Sequence, residues 1–141
     1  MSASHSFKMS LLVASMFAMS SSFAADAMSK DDYKAAKDKI TAEYKDAKKA
    51  CEPLKGNAND ICEKEAKAKE KIALADLEFS RSGKDADRIK AEKVKVEQEY
   101  AVAKEKCEDK KGADERACKK EAKAAEAKAL ADIKSEKKSA S

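Results

Sequence analysis

The sequence predicts an all-α protein that consists of two tandem antiparallel helical hairpins, four helices in total, each stapled by a disulfide near its turn. Three observations support this fold class. Asp, Glu, Lys and Arg make up 41% of the 141 residues, with three Gly, one Pro and no Trp, a composition typical of long helices. The chain also repeats itself, and each copy of the repeat carries two cysteines on either side of a turn.

A duplication organises most of the chain. At an offset of 56 residues and without a gap, 23 of the 44 positions from 34 to 77 are identical to those from 90 to 133. Because Lys/Ala/Glu-rich sequence matches itself easily, the rarer coincidences carry the inference of a repeated unit. These coincidences are Tyr44 with Tyr100, Cys51 with Cys107, Gly56 with Gly112, and Cys62 with Cys118.

Residues 1–24 are predicted to be a secretory signal peptide. Lys8 precedes an apolar run from Met9 to Met19, and a serine run with small residues around position 24 follows it. A membrane anchor is the alternative, but the apolar run is much shorter than the roughly 20 residues that cross a bilayer. We therefore expect an exported, periplasmic protein whose mature chain has no transmembrane segment.

The cleavage site has two candidates. Cleavage after Ala24 places Ser22 and Ala24 at the small-residue positions of the signal, and Ala27 offers a second site. Either cut removes His5, the only histidine of the chain.

The first hairpin is assigned to residues 25–79. Its first helix begins at a capping-box-like pair, Ser29 and Asp32, and Asp60 with Glu63 suggests a similar start for the second helix. The Pro-, Gly- and Asn-containing segment 52–59 predicts the turn between them. In each helix a set of residues recurs at alternating steps of four and three, which places them on one face of the helix. We call this set the stripe of that helix. The stripes are Tyr33, Lys37, Ile40, Tyr44, Ala47 and Cys51, then Cys62, Ala66, Lys69, Ala73 and Leu77.

The second hairpin is assigned to residues 85–133, after a linker at 80–84. Because that linker is a weak break, one long kinked helix across it is an alternative. The tail at 134–141 lacks large apolar residues and is expected to fray. The stripes repeat as Ile89, Lys93, Val96, Tyr100, Ala103 and Cys107, then Cys118, Ala122, Ala125, Ala129 and Ile133. Since these stripes are rich in alanine, which buries little apolar area, a thin core is expected.

The cysteines are the most specific feature of the sequence. Each copy carries Cys-x10-Cys around its turn, so the predicted disulfides are Cys51 with Cys62 and Cys107 with Cys118. Zinc and redox sites favour the closer Cys-x2-Cys spacing, which is absent, and no histidine remains after export to complete a mixed site. We therefore predict structural cross-links and no metal site.

The sequence predicts no catalytic residue, no cofactor and no enzymatic activity. Without a histidine in the exported chain, neither a Ser-His-Asp nor a Cys-His arrangement can form. No Gly-rich phosphate loop is present, and the three Gly residues fall at predicted turns. The acidic residues commonly stand four positions from a lysine, which suits a hydrated helix surface.

A nucleic-acid partner is not expected. The formal net charge is only +4, and acidic residues interrupt the basic runs. An envelope protein or polymer is the expected partner, and self-association is a further possibility because the thin core leaves apolar stripes to bury.

Three segments resemble a group of small proteobacterial periplasmic Lys/Ala-rich proteins with duplicated Cys-containing segments, often labelled cell-envelope or TolA-like. The segments are Tyr33 to Ile40, Gly56 to Cys62 and Tyr100 to Cys107. The resemblance implies a periplasmic location and a duplicated architecture, and it identifies no catalytic or binding residue.

The function expected from the sequence is therefore that of a non-enzymatic structural or interaction protein of the cell envelope. A chaperone-like holdase for exported proteins is the alternative hypothesis, and thiol or metal handling is a third.

Overall fold

The computed structural model describes residues 28–139, which form four α-helices and a short 3₁₀ turn. The described residues contain no strand, so the predicted four-helix, all-α class is confirmed. The predicted signal peptide and both of its cleavage sites lie outside the described residues. The elements are α1 Lys30–Cys51, α2 Asn57–Ser82, α3 Asp85–Lys106, the 3₁₀ turn Cys107–Asp109 and α4 Gly112–Ser139.

The helices form an antiparallel layer in chain order. Helix α1 packs on α2, α2 packs on α3, and α3 packs on α4. No other pair of these four helices shares an extensive interface in the part of the chain that the structure describes. The largest interface joins α2 to α3, so these two helices are covered on two sides while α1 and α4 are covered on one.

Local chemistry sets the start of each hairpin. The Asp32 N–H donates to the Ser29 hydroxyl at 3.1 Å, which confirms the predicted cap of α1. The predicted start of α2 at Asp60 is wrong. Helix α2 begins at Asn57, because Gly56 reverses the chain at φ +58° and its carbonyl accepts from the Asn59 and Asp60 N–H groups. The N-cap of α2 is therefore Gly56, and no side chain caps this helix.

The break between α2 and α3 is shorter than the predicted linker. Helix α2 continues to Ser82, and Gly83 ends it in the left-handed conformation at φ 62°, with its N–H donating to the Phe79 carbonyl at 2.8 Å. Helix α3 then begins at Asp85. One kinked helix across this segment is therefore not the structure, because Gly83 turns α3 back along α2.

The tail that is expected to fray after Ile133 is helical as far as Ser139 in the described residues, and its fraying stays a prediction. The hydroxyls of Ser135 and Ser139 donate to the carbonyls of Asp132 and Glu136, at 2.7 and 2.9 Å. Lysines in the last turn also suit the negative end of the helix dipole.

The core is thin and contains no buried polar or charged side chain among the described residues. Its largest aliphatic members are Leu77 and Ile133, at 7% and 8% exposure. The remaining buried residues are Cys51, Ala66, Ala68, Ala91 and Cys107. Small side chains bring the helix backbones close but remove little apolar area from water.

The α2–α3 interface uses a face that the two copies of the repeat do not share. Ile72 of α2 and Val102 of α3 line the groove between these helices. Their counterparts at the 56-residue offset are Lys128 and Asp46, both exposed on the outer helices. The two copies of the repeat therefore differ at the positions where they pack on each other. These positions are apolar and half-buried on α2 and α3, and charged and exposed on α4 and α1.

Candidate functional site

Both disulfides lie at the same end of the layer, which we call the disulfide end. Cys51 bonds to Cys62 with their Cα atoms 5.7 Å apart, and Cys107 bonds to Cys118 with their Cα atoms 5.6 Å apart. The structure therefore brings together the four cysteines in the predicted pairs, and each bond joins the end of one helix to the start of the next.

Polar contacts that the sequence did not predict join the two disulfide turns. The Asn57 side-chain amide donates to the Asp109 carboxylate at 2.7 Å, across the gap between the hairpins. Lys106 and Glu65 form an ion pair at 2.6 Å between α3 and α2. These contacts bring the second turn beside the first. No sequence motif indicated them, since they depend on the α2–α3 packing.

The two cysteines of each pair differ in exposure. Cys51 and Cys107 are each 1% exposed, whereas Cys62 and Cys118 are half-buried. Among residues 28–139 no group of three or more His, Cys, Asp or Glu side chains is arranged to hold a metal ion. The cysteines thus cross-link the helices at a partly shielded position.

At the opposite end of the layer, which we call the open end, the first hairpin is closed by a polar contact. The Tyr33 hydroxyl of α1 donates to the Glu78 carboxylate of α2. Arg81 pairs with the same carboxylate at 2.9 Å, and its guanidinium lies 4.8 Å from the centre of the Tyr33 ring. We call these three residues the tyrosine clasp.

The tyrosine clasp shifts the ionisation of its own members. The hydrogen bond to Glu78 raises the pKa of Tyr33, because an ionised hydroxyl could no longer donate it. Hydrogen bonds from Tyr33 and then from Arg81 lower the pKa of Glu78, because both stabilise the carboxylate. The clasp is therefore formed by a neutral tyrosine and a charged glutamate.

The open end of the second hairpin has different residues at the same repeat positions. Ile89 replaces Tyr33, Lys134 replaces Glu78 and Lys137 replaces Arg81 at the 56-residue offset. A groove of about 680 Å³ lies here between α3 and α4, and we call it the basic groove. Its lining residues are Ile89, Lys93, Glu97, Leu130, Ile133, Lys134, Lys137 and Lys138.

The remaining tyrosines lie along the hairpins, as their stripe positions predicted. Tyr44 borders the cleft between α1 and α2, and Tyr100 has the Lys123 ammonium 5.0 Å from its ring centre. Both rings are half-buried against the neighbouring helix. Packing within the hairpins accounts for their positions.

The outer surfaces carry many ion pairs between exposed side chains. Most pairs join residues three or four positions apart on one helix, such as Lys39 with Glu43 and Lys128 with Asp132. Pairs of this kind contribute little to folding and keep the helix faces hydrated. No helix within residues 28–139 is long and apolar enough to cross a membrane.

Comparison with known proteins gave no match: no family model, curated protein or solved structure is significantly similar to this chain. The fold and its residues therefore carry the functional argument.

Proposed function

We propose that this protein is an exported, non-enzymatic interaction protein of the bacterial cell envelope. In this role its two stapled hairpins present charged helix faces to an envelope protein or polymer. The observation that carries the proposal is the asymmetry of the repeat, in which apolar inner positions such as Ile72 and Val102 correspond to charged outer positions such as Lys128 and Asp46.

This asymmetry supports an interaction role because it leaves α1 and α4 as the outer helices of the layer, with charged residues on their exposed faces. Repeat arrays need polar outer faces on their terminal units to stay soluble. The outer faces of α1 and α4 meet this requirement and are not covered by another helix of the described chain. They are therefore available to a partner that recognises regularly spaced charges.

The predicted signal peptide and the disulfides support the proposed compartment. Structural disulfides persist in oxidising environments such as the bacterial periplasm. Two such bonds hold the helix pairs of this thin-cored protein together. A fixed helix pair presents its charges at a constant spacing, which favours one partner over another.

In vivo cross-linking tests the proposal. A photoreactive amino acid replaces exposed Ala124 on the outer face of α4 or exposed Ala35 on α1, and buried Ala68 serves as the matched control. We expect one or two reproducible envelope partners from an outer face and none from position 68. The same weak adducts from all three positions, lost at moderate salt, would contradict a specific partner.

The α2–α3 groove favours a chaperone-like holdase as the second candidate function. This groove of about 450 Å³ has an apolar floor that includes Ala68, Ile72 and Val102, between charged rims that include Lys69 and Lys106. Such a groove suits apolar segments of unfolded chains. Suppression of the aggregation of several unfolded clients at equimolar protein would support this function, and no effect on any client would remove it.

A further inference from the structure

We propose that the basic groove is a binding site for a single-chain anionic amphiphile, of which a fatty-acid carboxylate is the simplest. The inference goes beyond the proposed interaction role and does not depend on it. It is carried by the shape, charge and apolar floor of the groove, and by its contrast with the tyrosine clasp of the first hairpin.

The rim of the groove favours an anion. It is lined by Lys93 of α3 and by Lys134, Lys137 and Lys138 of α4. The acidic side chain that lines the groove is Glu97, and Asp85 in the adjoining cleft is paired with Arg88 at 3.2 Å. The groove therefore has an excess of positive charge.

Helix stability alone does not account for these lysines. Lys137 and Lys138 lie in the last turn of α4, where a cation suits the helix dipole. Lys134 precedes that turn, and Lys93 lies on α3, so neither is explained by the end of α4. Their convergence on one groove indicates an anionic ligand.

The floor of the groove favours an apolar chain attached to that anion. Ile89 and Leu130 are half-buried and Ile133 is 8% exposed, so the groove offers aliphatic surface below its lysines. A volume of about 680 Å³ is in the range of small-molecule sites. An anion without an apolar chain would leave this floor uncovered.

The concave shape favours a monomeric amphiphile over a bilayer surface. Membrane-surface helices insert a continuous, exposed apolar face. Here the aliphatic residues are recessed between α3 and α4. The one large apolar side chain that is exposed among the described residues, Leu54 at 42%, lies at the disulfide end. The shape of the groove therefore suits a single acyl chain better than a bilayer surface.

The first hairpin provides an internal control. At the same repeat position the Tyr33 side chain spans from α1 to α2 and is fixed by Glu78 and Arg81. The clasp also replaces one lysine of the second hairpin with a carboxylate, because Glu78 corresponds to Lys134. The first hairpin should therefore bind no anionic amphiphile.

Isothermal titration with laurate, kept below its aggregation concentration, tests the proposal on the oxidised protein. We expect one laurate per chain and much weaker binding of the uncharged analogue dodecanol. Transfer of the clasp by Ile89→Tyr with Lys134→Glu should weaken laurate binding by about tenfold or more. Lys134→Gln, which changes little in the fold, should weaken laurate binding by a smaller factor. This single variant provides the test if the double variant does not fold.

The reverse exchange makes the test symmetrical. Tyr33→Ile with Glu78→Lys should open the first hairpin and raise the stoichiometry to two laurates per chain. No laurate binding by the parent protein would overturn the proposal, as would equal affinity for laurate and dodecanol. Binding to phosphatidylglycerol vesicles without binding to monomeric laurate would assign the lysines to a membrane surface and also overturn it.

Discussion

At the scale of single residues, Tyr33 differs from the other two tyrosines because its hydroxyl donates to a charged carboxylate on the neighbouring helix. This contact requires a neutral tyrosine and an ionised Glu78. Its contribution to stability is therefore fully present above the ordinary glutamate pKa of 4.5 and below the ordinary tyrosine pKa of 10.0. It is lost as the pH falls through the lowered pKa of Glu78 or rises through the raised pKa of Tyr33.

A titration of ring-labelled tyrosine followed by NMR checks this account. We expect Tyr33 to ionise above 10.0 in the parent protein, and Glu78→Gln to lower its pKa because the charged acceptor is lost. Glu43→Gln is the matched control, since Glu43 is exposed on α1 and pairs with Lys39. A Tyr33 pKa that is the same in the parent and in the Glu78 variant would contradict the contact.

Substitution of Gly83 tests whether its left-handed conformation is needed for the break between α2 and α3. It adopts φ 62°, and a Cβ added there would meet no atom within 4 Å. The cost of Gly83→Ala is therefore conformational and should lower the free energy of unfolding by about 1 kcal/mol, which denaturant titration measures. Gly83→Asn should cost less, because asparagine tolerates the left-handed conformation. A Gly83→Ala protein that is as stable as the parent would show that this conformation is not required.

At the scale of the helix, part of the packing within each hairpin was predictable because the stripes repeat in both copies. The stripe residue Ala125 is nevertheless exposed, and the buried residues Ala68 and Ala91 lie on no predicted stripe. The predicted disulfides follow from the same symmetry. The start of α2 was placed too late in the chain, because Asp60 and Glu63 resemble a capping box, whereas the N-cap is Gly56, which has no side chain to mark it. The α2–α3 interface was missed because its apolar residues, Ile72 and Val102 among them, differ between the copies. A search for differences between the copies would have found it.

A pair of reciprocal substitutions tests the inner and outer faces. Ile72→Lys places a lysine in the α2–α3 interface, and we expect it to lower the free energy of unfolding by about 1 to 2 kcal/mol. Lys128→Ile changes the corresponding exposed position of α4 and should leave unfolding nearly unchanged. Thermal and denaturant unfolding of both variants measure this contrast. Equal destabilisation by the two would mean that the faces are equivalent.

The basic groove was also hidden from the sequence. Ile89 and Lys93 were recognised as stripe residues, and Lys134, Lys137 and Lys138 were assigned to a frayed tail. They become neighbours of the α3 residues only because α4 remains helical to Ser139. The composition of the tail therefore did not indicate the groove that these lysines line.

At the scale of the whole molecule, the disulfides compensate for the thin core. Each closes a short loop with a sequence separation of 11 residues. Replacement of either cysteine pair by serine should lower the free energy of unfolding by about 2 to 3 kcal/mol. The two double variants, Cys51→Ser with Cys62→Ser and Cys107→Ser with Cys118→Ser, should be similar in size of effect. Denaturant titration measures both, and no loss of stability in either would contradict a structural role.

The α2–α3 interface connects the two hairpins, so we expect them to fold as one unit. Contacts such as the Lys106–Glu65 ion pair and the Asn57–Asp109 hydrogen bond connect the copies near their disulfides. We therefore expect loss of one disulfide to weaken the other hairpin as well, which hydrogen exchange resolved by residue measures. Protection that falls only in the hairpin whose disulfide was removed would indicate two independent units.

The mass of the intact protein, isolated from the cells that make it, shows whether the chain is exported and whether both hairpins are stapled by disulfides. We expect a chain shortened by its signal peptide, beginning after Ala24 or Ala27, with four hydrogens fewer than the reduced form. Peptides that contain Cys51 and Cys107 should remain linked to those that contain Cys62 and Cys118, respectively. A full-length chain with four free thiols would contradict both export and the disulfides.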